Sequence, residues 1–479
     1  MTNQITEIFG NRIGIYGLGV TGRASLDYLA KHDITPALID DAPVEKLQSI
    51  LDEYKGKFSS VHAGDHNWDE ILSDLDTIII SPGIKLPSEV DTLAKNKNVK
   101  IISEIEFAYR LCKGQIIAIT GSNGKSTTVT MIHQILLEAG QRSHLLGNIG
   151  TAFISGLDEI EDSDWVVLEL SSYQLERIDQ FRPHIALLTN ITEDHLARHG
   201  TMQGYIEAKG NMFKNQDSSD HAIINHEDIN TTRAFGGAQS TIHTFSLEDI
   251  SIIPRRELIN GRDIQIFACL ENDVMVLRDG DDILKIMPVS QLLVMGKHNI
   301  ENALCSSLAG YLAGVPIPII ALALCEFKGI EHRIEFLGMF SGISFYNDSK
   351  ATNVDSTITA LKTFEEGYFH LILGGSEKGS DFTPLWEFLR DRDDPFKLYL
   401  TGPSGKRMAD DLNSGKWDFD FTLYNSFDEC SKAAFESAKD GQIVLLSPAC
   451  ASFDEFQNFE KRGHRFKELL NEFLKDKGL

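Results

Sequence analysis

Short apolar runs alternate with amphipathic stretches along most of the chain. "QIIAIT" at 115–120 is an apolar run of strand length, and the segment after it places Val129, Ile132, Ile135 and Leu136 on one helical face. Beyond residue 330 the runs "ISFYNDSK", "YFHLILGG", "KLYLTG" and "QIVLLSPA" alternate with helical patterns in the same way. Strands that alternate with helices predict parallel sheets covered by helices, so the fold class is α/β.

The alternation falls into three segments, and 479 residues suffice for about three domains. We predict a Rossmann-like domain over residues 1–110, a central P-loop mononucleotide-binding domain over 111–329, and a second Rossmann-like α/β domain over 330–479. Within the central segment, "DIQIFACL" and "DVMVLRD" are short alternating runs. They predict that residues around 236–290 form a small antiparallel hairpin insertion.

The first segment opens with a strand, a glycine-rich turn and a helix in "RIGIYGLGVTGRASLDYLA". The turn carries Gly17, Gly19 and Gly22, and the next strand, "PALID", ends at Asp40. This order is typical of a mononucleotide-binding βαβ unit. Taken alone it suggests NAD, although such glycines serve any pyrophosphate and also allow close helix packing.

A second glycine-rich turn, "TGSNGKST", lies between the strand at 115–120 and the helix after it. Such a turn directs backbone N–H groups and the positive end of the helix at an anion. Lys125 could reach the outer phosphates of a nucleotide, and Ser126 or Thr127 could offer a hydroxyl to Mg²⁺. A full Walker pattern needs a glycine where the chain has Ile119, so the turn is a variant. The alternative is an ordinary turn with an exposed lysine.

Two further strands of the central segment lead to residues that could bind a metal ion. "DWVVLELSSYQLE" reaches Glu169, and "PHIALLTNITEDH" reaches His195. Ligands of open α/β sheets gather at the carboxyl ends of the strands. An acid and a histidine at two strand ends beside the phosphate turn predict a metal–nucleotide site. The alternatives are a solvated strand end and a turn histidine.

Lys209 falls on the apolar stripe of "TMQGYIEAKGNMFKNQ", which contains Met202, Tyr205, Ile206, Met212 and Phe213. A charged lysine on an apolar face is unfavourable unless it finds a partner or loses its charge. The alternative is a lysine whose ammonium extends to water along the surface. We interpret Lys209 as a functional lysine that faces the site of Glu169 and His195.

The composition narrows the classes of partner. A net charge of −25 argues against nucleic acid and anionic membranes, so an anionic substrate must be held by local basic groups. "MTNQITEIFGNR" is not an export signal, and no apolar stretch approaches the ~20 residues of a membrane span. Six scattered cysteines without a CxxC pair indicate reduced thiols in a cytosolic setting.

Eight motifs in a fixed order resemble those of the ATP-dependent Mur ligases. They are "TGSNGKST", "GNIG", "LELSSYQLE", "NITEDHLARHG", "GKHNIENA", "EHRIEF", "NDSKATN" and "LSPACASFDEFQNFEKRG". The last three resemble the branch of the family that adds D-glutamate. The resemblance extends from about Ile13 to Phe466, and the segment around 236–290 matches least.

The resemblance implies an ATP-dependent reaction in the cytoplasmic synthesis of peptidoglycan precursors. ATP phosphorylates the terminal carboxylate of UDP-N-acetylmuramoyl-L-alanine. The amine of D-glutamate then attacks the acyl phosphate, and a tetrahedral intermediate collapses to an amide, with ADP and phosphate as the other products. The resemblance also implies Mg²⁺ as cofactor and a monomeric enzyme.

The resemblance assigns roles to residues along the whole chain. The residues implied to bind ATP are Gly121, Ser122, Asn123, Gly124, Lys125, Ser126, Thr127, Asn299, Asn302, Arg333 and Asp348. The implied ligands of Mg²⁺ are Ser126 or Thr127, Glu169, His195 and Lys209, the last as a carbamate formed with CO₂. The residues implied to bind the UDP substrate are Gly17, Gly19, Val20, Thr21, Gly22, Asp40, Gly83 and Asn148. The residues implied to bind D-glutamate are Lys350, Thr352, Lys378, Ser452 and Phe459.

Among these residues, Lys125, His195 and Lys209 are implied to be catalytic. Phe459 could instead be core packing, and Asn299 and Asn302 could be helix-start residues. At the level of the whole chain, the alternatives are a sister ligase for another amino acid, a folate polyglutamate ligase, an NAD oxidoreductase and a nucleotide-binding switch.

Overall fold

The computed structural model describes residues 2–253, 258–294, 296–364, 367–377, 379–392 and 394–478. The chain forms two compact units. The first consists of Met1–Val289 and Ile300–Leu324, and the second of Ser290–Asn299 and Cys325–Leu479. Within the described ranges, no helix is long and apolar enough to span a bilayer.

The first sheet belongs to the first unit and has five parallel strands in the order β3-β2-β1-β4-β5. These strands are β1 (Ile13–Tyr16), β2 (Ala37–Asp40), β3 (Ser60–Ala63), β4 (Thr77–Ile80) and β5 (Lys100–Ser103). The helices of this part are α1 (Thr2–Phe9), α2 (Val20–Lys31), α3 (Val44–Glu53), α4 (Trp68–Ser73), α5 (Ser88–Asn96) and α6 (Glu104–Tyr109). The predicted strand–turn–helix unit is present as β1 and α2.

The second sheet, also in the first unit, has ten strands. Nine follow the order β15-β14-β13-β11-β10-β9-β6-β8-β7, and β12 pairs with β13. The strands are β6 (Gln115–Thr120), β7 (Ser143–Gly147), β8 (Trp165–Glu169), β9 (Ile185–Leu188), β10 (His221–Asn225), β11 (Thr241–Asp249), β12 (Leu258–Ile259), β13 (Arg262–Glu271), β14 (Val274–Asp279) and β15 (Asp282–Pro288). The helices are α7 (Lys125–Glu138), α8 (Phe153–Gly156), α9 (Ser172–Leu175), α10 (Leu196–His199), α11 (Met202–Gly210), α12 (Ile229–Phe235), α13 (Lys297–Leu312) and α14 (Ile317–Cys325).

The prediction of a small antiparallel hairpin insertion at 236–290 is confirmed only in part. β13, β14 and β15 do form an antiparallel meander, but β11 pairs in parallel with both β10 and β13. The segment therefore continues the central sheet. Alternating apolar and polar residues indicate a strand with one buried face, but they do not identify the neighbouring strand.

The third sheet belongs to the second unit and has the order β16-β17-β21-β18-β19-β20. Its strands are β16 (Glu335–Phe340), β17 (Ile343–Asn347), β18 (Phe369–Gly374), β19 (Phe396–Thr401), β20 (Phe421–Leu423) and β21 (Ile443–Leu446). Its helices are α15 (Val354–Lys362), α16 (Thr383–Arg390), α17 (Gly402–Asp411), α18 (Phe427–Ser437) and α19 (Phe459–Lys477). Only β16 among these strands runs antiparallel to its neighbour, and apolar clusters cover both faces of the sheet.

One continuous apolar core joins the first and second sheets. Phe107 of α6 and Phe153 of α8 are fully buried in this core, and they lie on helices that follow different sheets. The pair α6 and α8 therefore connects the two sheets. The burial of large aromatic side chains favours one fixed packing of the sheets.

Two buried carboxylates of α6 also connect the first part of the chain to the second sheet's surroundings. Glu106 of α6 accepts hydrogen bonds from the backbone N–H groups of Asp179, Gln180 and Phe181 and from the Arg110 guanidinium. Glu104 is 1% exposed and accepts from the backbone N–H of Ile154 at 2.6 Å. Each carboxylate thus satisfies buried N–H groups of the central part of the chain.

The ionisation of Glu104 makes a testable contribution to stability. Burial raises the pKa of Glu104 to about 7. Between about pH 4.5 and pH 7 the unfolded chain has released this proton and the folded chain retains it, so this carboxyl lowers stability as pH rises. Glu104→Gln keeps an oxygen acceptor for Ile154 but cannot ionise. We expect the melting temperature of the wild type, relative to this variant, to fall by several degrees from about pH 5 to about pH 8.

The measurement is a set of thermal melts across this pH range, and the exposed Glu89→Gln in α5 is the matched control. Because other groups titrate in the same range, only the difference between wild type and variant is informative. A difference in melting temperature between wild type and Glu104→Gln that stays constant from about pH 5 to about pH 8 would contradict the prediction.

Candidate functional site

The glycines at the ends of the phosphate turn are required by close contacts. Gly121 and Gly124 have φ of 151° and 83°, outside the range that side chains favour. A Cβ on Gly121 would lie 2.0 Å from Thr189 Oγ1, and one on Gly124 would lie 2.4 Å from Asn302 Oδ1. Ile119 is fully buried within β6, so the turn begins only at Gly121 and needs no glycine at 119.

The segment that follows β9 holds the phosphate turn in shape. Asn190 uses both ends of its side-chain amide: Oδ1 accepts from the Asn123 N–H at 2.9 Å, and Nδ2 donates to the Asn123 carbonyl at 3.2 Å. Thr189 Oγ1 donates to the same carbonyl at 2.6 Å. Ser122 donates its N–H to the Asn190 carbonyl and its hydroxyl to the Thr192 carbonyl.

Lys125 begins α7 and folds back over the turn. Its Nζ donates to the carbonyls of Gly121 and Ser122, each at 2.9 Å. Ser126 and Thr127 follow in the first turn of the same helix. Asn302 of α13 lies beneath the turn, 4% exposed, and its Oδ1 accepts from Thr128 Oγ1 at 3.2 Å. The predicted phosphate residues therefore converge, and Asn302 acts from the protein side of the turn.

Glu169 ends β8, and its backbone is directly paired with Ile119 of β6, next to the start of the turn. Asn148 Nδ2 donates to Glu169 Oε1 at 2.8 Å. The other oxygen, Oε2, is buried and has no hydrogen-bond partner in the described structure. A buried carboxylate oxygen without a donor is unfavourable alone, and a hard cation such as Mg²⁺ would satisfy it.

The prediction that His195 sits at the end of a strand is wrong. β9 ends at Leu188, and the chain runs six residues further before His195, which directly precedes α10 in a left-handed conformation with φ of 52°. The imidazole is exposed, and Nε2 lies 3.3 Å from Asp194 Oδ2. The residues between strand and histidine are those that hold the phosphate turn, so His195 is still positioned by the same segment.

Lys209 lies on the buried face of α11, as predicted, and is 1% exposed. Its Nζ donates to the Gly121 carbonyl at 2.8 Å and to Thr120 Oγ1 at 3.5 Å, and it stands 4.6 Å from the centre of the Tyr205 ring. Burial, with a smaller contribution from the Lys125 charge, lowers the pKa of Lys209 to about 7. A large fraction of Lys209 is therefore a neutral amine at physiological pH.

Tyr205 connects three parts of the site, although its pattern indicated only a core residue. Its hydroxyl lies 3.2 Å from Ser122 Oγ, its ring packs beside Lys209, and the ring centre is 6.3 Å from that of His195. Its hydroxyl was the available signal, because a buried tyrosine usually places that group against a polar partner. Asn190 and Thr189 were missed for a different reason: their partners are backbone atoms distant in sequence.

A cavity of about 380 Å³ opens at the carboxyl ends of the first sheet. Its lining consists of Gly17, Leu18, Gly19, Val20, Thr21, Asp40, Asp41, Ser81, Pro82, Gly83 and Ile84. Asp40 accepts from the backbone N–H groups of Leu18 and Ala42 and so fixes the glycine turn. Gly22 lies beneath the turn, where a Cβ would be 1.8 Å from the Gly17 carbonyl oxygen. Asn148 lies instead at the second sheet, beside Glu169.

Arg198 of α10 links this cavity to the central sheet. Its guanidinium donates to the carbonyls of Gly83 and Ile84 and pairs with Glu176 at 2.8 Å. It also lies 5.5 Å from the centre of the Tyr173 ring, which in turn is 5.1 Å from that of His195. The loop of Gly83 and the segment of His195 thus share a set of contacts.

In the second unit, the remaining predicted residues gather around the carboxyl ends of β17 and β21, which are neighbouring parallel strands. Lys350 and Thr352 follow β17, and Ser452 follows β21. Phe459 begins α19, with its ring centre 6.0 Å from Lys350 Nζ. Lys378 lies outside the described residues. The structure thus brings Lys350 and Phe459 together, and it places Thr352 and Ser452 in the segments that follow two neighbouring strands.

Asp348 is 4% exposed and follows β17 directly. Its carboxyl accepts from Ser447 Oγ at 2.7 Å and from the Ile334 N–H at 3.2 Å, and burial raises the pKa of Asp348 to about 7. Arg333 precedes Ile334 and counteracts part of this rise through its charge. Asn299 also belongs to the second unit, whereas Asn302 belongs to the first.

Arg462 is a further residue that pattern analysis missed. It is 2% exposed on α19, and its guanidinium donates to the carbonyls of Ser349, Cys450 and Ala451. It thereby holds together the two loops that carry Lys350 and Ser452. A charged residue in a predicted amphipathic helix is expected to be solvent-exposed. The sequence therefore does not indicate that Arg462 is buried and connects the two loops.

Comparison with known proteins identifies the chain. Three family models match in succession: Mur ligase MurD-like N-terminal domain over residues 11–103, Mur ligase middle domain over 119–310, and Mur ligase glutamate ligase domain over 332–450. They cover most of the chain, and they confirm the predicted α/β architecture of three domains.

Curated relatives are similar over nearly the whole length. A UDP-N-acetylmuramoylalanine–D-glutamate ligase of Thermoanaerobacter sp. is 36% identical over 468 residues, which are 97% of this chain and 99% of that protein. The ligase of the same name from Koribacter versatilis is 38% identical over 464 residues, with 97% and 98% covered. That from Clostridioides difficile is 34% identical over 466 residues, with 97% and 99% covered.

Solved structures support the fold. UDP-N-acetylmuramate-alanine ligase MurC from Thermotoga maritima matches with a TM-score of 0.53 at 19% identity, covering 96% of this chain and 99% of that one. MurF from Acinetobacter baumannii matches with a TM-score of 0.54 at 15% identity, covering 98% of each chain. Because family models and full-length relatives agree, the chain belongs to the Mur ligase family.

Proposed function

We propose that the protein is a UDP-N-acetylmuramoyl-L-alanine–D-glutamate ligase, which couples ATP cleavage to amide formation in peptidoglycan precursor synthesis. The observation that carries the proposal is the combination of the glycine-turn cavity, the phosphate turn and the Lys350–Ser452 loops in a chain whose full-length relatives have this name.

The chemistry explains why a phosphate turn is needed. A carboxylate is a poor acyl donor, since its leaving group would be oxide; transfer of the γ-phosphoryl group of ATP to a carboxylate oxygen gives an acyl phosphate. The D-glutamate amine then attacks the acyl carbon, the amine proton leaves, and the C–O bond to phosphate breaks. Several anions meet in this reaction, so the protein must supply fixed positive groups.

In this proposal the first-sheet cavity holds the UDP part of the substrate. Gly17, Gly19, Val20 and Thr21 present the start of α2 to the pyrophosphate, and Asp40 and Gly83 lie on the uridine side. Asn148 contacts the sugar–peptide part. Gly22 contributes by allowing α2 to pack closely on the turn.

Residues 121–127 hold the ATP phosphates, with Lys125 as the main positive group. The other residues that we propose to bind ATP are Asn299, Asn302, Arg333 and Asp348. Glu169, His195, Lys209 and a hydroxyl of Ser126 or Thr127 hold Mg²⁺, which neutralises phosphate charge when bound. Carboxylate and hydroxyl oxygens suit Mg²⁺, and the unpartnered Oε2 of Glu169 is in keeping with this role.

We further propose that Lys209 works as a carbamate. The neutral amine attacks the carbon of CO₂, a C–N bond forms, one C=O π bond becomes a C–O⁻ group, and the amine loses a proton. Burial against Tyr205 and the pKa of about 7 favour this step, because they raise the fraction of neutral amine. The modification replaces a buried cation by an oxygen ligand.

The loops of the second unit receive D-glutamate. Its two carboxylates require donors, and Lys350, Thr352, Lys378 and Ser452 offer ammonium and hydroxyl groups. Phe459 forms an apolar wall beside Lys350. We also propose that the enzyme is a cytoplasmic monomer. The proposed domain limit near 330 lies close to the division between the two units after Leu324, and that near 110 lies between β5 and β6.

The central test is a steady-state assay of ADP release. We expect release only with ATP, UDP-N-acetylmuramoyl-L-alanine and D-glutamate together, and little with L-glutamate, since the inverted centre cannot place the amine and both carboxylates at once. Other amino acids serve as controls for a sister ligase. ADP release at the full rate without D-glutamate would contradict the proposal.

Lys125→Ala should lower the turnover by about 10³-fold or more, because it removes a fixed positive charge from phosphoryl transfer. The matched control is Lys214→Ala, an exposed lysine after α11. The measurement is turnover at saturating ATP, with the fold checked by circular dichroism. Near-normal turnover in folded Lys125→Ala would show that Lys125 is not needed for phosphoryl transfer.

Lys209→Ala should be folded and nearly inactive, and added formate or acetate should restore part of its activity by supplying a carboxylate. Lys209→Arg should not respond, since it retains the charge and fills the space. A ¹³C NMR spectrum with labelled CO₂ should show a carbamate signal in the wild type and none in either variant. An active, Mg²⁺-loaded wild type without this signal would refute the carbamate.

A further inference from the structure

A buried histidine of α10, His199, lies beside the proposed Mg²⁺ ligands, and none of the roles proposed above uses it. Its side chain is 4% exposed. Nε2 lies 2.9 Å from Ser172 Oγ, and Nδ1 lies 3.4 Å from Glu176 Oε1. Ser172 begins α9 and Glu176 directly follows it. The imidazole of His199 therefore connects α10 to α9 through both of its nitrogens.

The surroundings of His199 determine which nitrogen carries the proton. Burial lowers the pKa of His199, so the imidazole is neutral at physiological pH. The Glu176 carboxylate only accepts hydrogen bonds and lies on the Nδ1 side, so the proton is on Nδ1. Nε2 is then the acceptor for the hydroxyl of Ser172. Both contacts need an imidazole, since an apolar ring of similar size can make neither.

Ser172 lies three residues after Glu169 in a segment that is held in place. The backbone N–H of Leu170 donates to β6 at 2.8 Å. Ser171 forms a capping box with Gln174 at the start of α9, in which each side chain accepts from the backbone N–H of the other residue. Ser172 itself is 2% exposed. The position of Ser172 relative to the Glu169 backbone is therefore fixed.

His195 lies one helical turn before His199. The backbone N–H groups of Arg198 and His199 donate to the His195 carbonyl at 2.9 and 3.2 Å. α10 has only four residues, and a helix this short depends on tertiary contacts for its stability. His195 is exposed and has a φ of 52°, which a residue with a side chain does not favour. The side chains of Arg198 and His199 therefore hold His195 in place.

Two tyrosine rings contact both histidines. The Tyr173 ring stacks on that of His199, with centres 5.6 Å apart and planes at 13°, and its centre is 5.1 Å from that of His195. The centre of the Tyr205 ring is 5.2 Å from that of His199 and 6.3 Å from that of His195. His199 is the more buried of the two histidines, so it supports the rings against which the His195 imidazole packs.

We propose that His199 is a positioning residue, which fixes the distance between Glu169 and His195 so that both can hold Mg²⁺. This inference rests on the Mg²⁺ site of the proposed function. Mg²⁺ requires nearly ideal octahedral geometry, so a small displacement of one ligand lowers the affinity. Arg198 anchors α10 to the loop of Gly83, whereas His199 anchors it to the segment that follows Glu169.

The test measures metal binding on the full chain in bicarbonate buffer, with Mn²⁺ in place of Mg²⁺ and free Mn²⁺ followed by electron paramagnetic resonance. His199→Phe keeps a ring against the tyrosines but removes both nitrogens, and Ser172→Ala removes one partner. We expect each variant to bind Mn²⁺ roughly tenfold more weakly. The double variant should be no weaker than His199→Phe, because both changes remove the same contact. His199→Gln retains a donor and an acceptor and should recover part of the affinity.

A second serine–histidine pair provides matched controls. His62 Nε2 lies 3.3 Å from Ser60 Oγ in the first sheet, and His62→Phe and Ser60→Ala should bind Mn²⁺ as the wild type does. In the ligase assay, the Mg²⁺ concentration that gives half the maximal rate should rise in His199→Phe by the same factor as the Mn²⁺ dissociation constant. The KM for D-glutamate should change by less than about twofold. A loss of stability alone would reduce the amount of active enzyme but would not change the Mg²⁺ requirement.

Glu169→Gln separates this inference from the function on which it rests. If Glu169→Gln weakens Mn²⁺ binding but folded His199→Phe binds as the wild type does, the role of His199 is wrong and the metal site stands. Mn²⁺ binding that is absent from the wild type, or unaffected by Glu169→Gln, would overturn both. Ser172→Ala removes a single hydroxyl, so its affinity decides the matter if melting curves show that His199→Phe is unfolded.

Discussion

A backbone turn can bind an anion only if its carbonyl oxygens are directed elsewhere, and the first unit is built around that constraint. Lys125 and Lys209 donate to the Gly121 carbonyl, and Thr189 and Asn190 donate to that of Asn123. The donors come from α7, α11 and the segment after β9. The orientation of these few peptide groups therefore depends on three elements that are distant in sequence.

The same constraint explains why a lysine is buried beneath the turn. The Lys209 amine is removed from water and lies next to the Lys125 charge, both of which are unfavourable for an ammonium. This placement provides a donor to the Gly121 carbonyl and an amine that is neutral more often than the amine of a surface lysine. The low pKa and the close packing are thus two results of one placement.

Much of the fold follows from the sequence because it depends on local patterns. The strand–turn–helix units around Gly17 and Gly124 have a periodicity and glycine spacing that only one local structure satisfies. Lys209 could be singled out because a charge interrupts an apolar stripe. The pairing of β11 with β13 could not be predicted, since alternation indicates a buried face and not a neighbour.

The parts of the site that escaped prediction are those whose partners are backbone atoms far along the chain. Asn190 supports Asn123, and Arg462 joins the loops of Ser349 and Cys450. His195 was identified by residue type but placed at the wrong point, because a six-residue loop separates it from β9. Residue chemistry thus carries over from sequence more reliably than position does.

Arg198 has a consequence for how the two ends of the first unit communicate. One guanidinium binds the carbonyls of Gly83 and Ile84 and also the Glu176 carboxylate, and it lies over the Tyr173 ring, which is next to His195. A ligand that orders the Gly83 loop also fixes Arg198. Less conformational entropy is then lost when the segment of His195 becomes ordered. Thermodynamic reciprocity requires the effect to run equally in the other direction, so occupancy at either end is felt at the other.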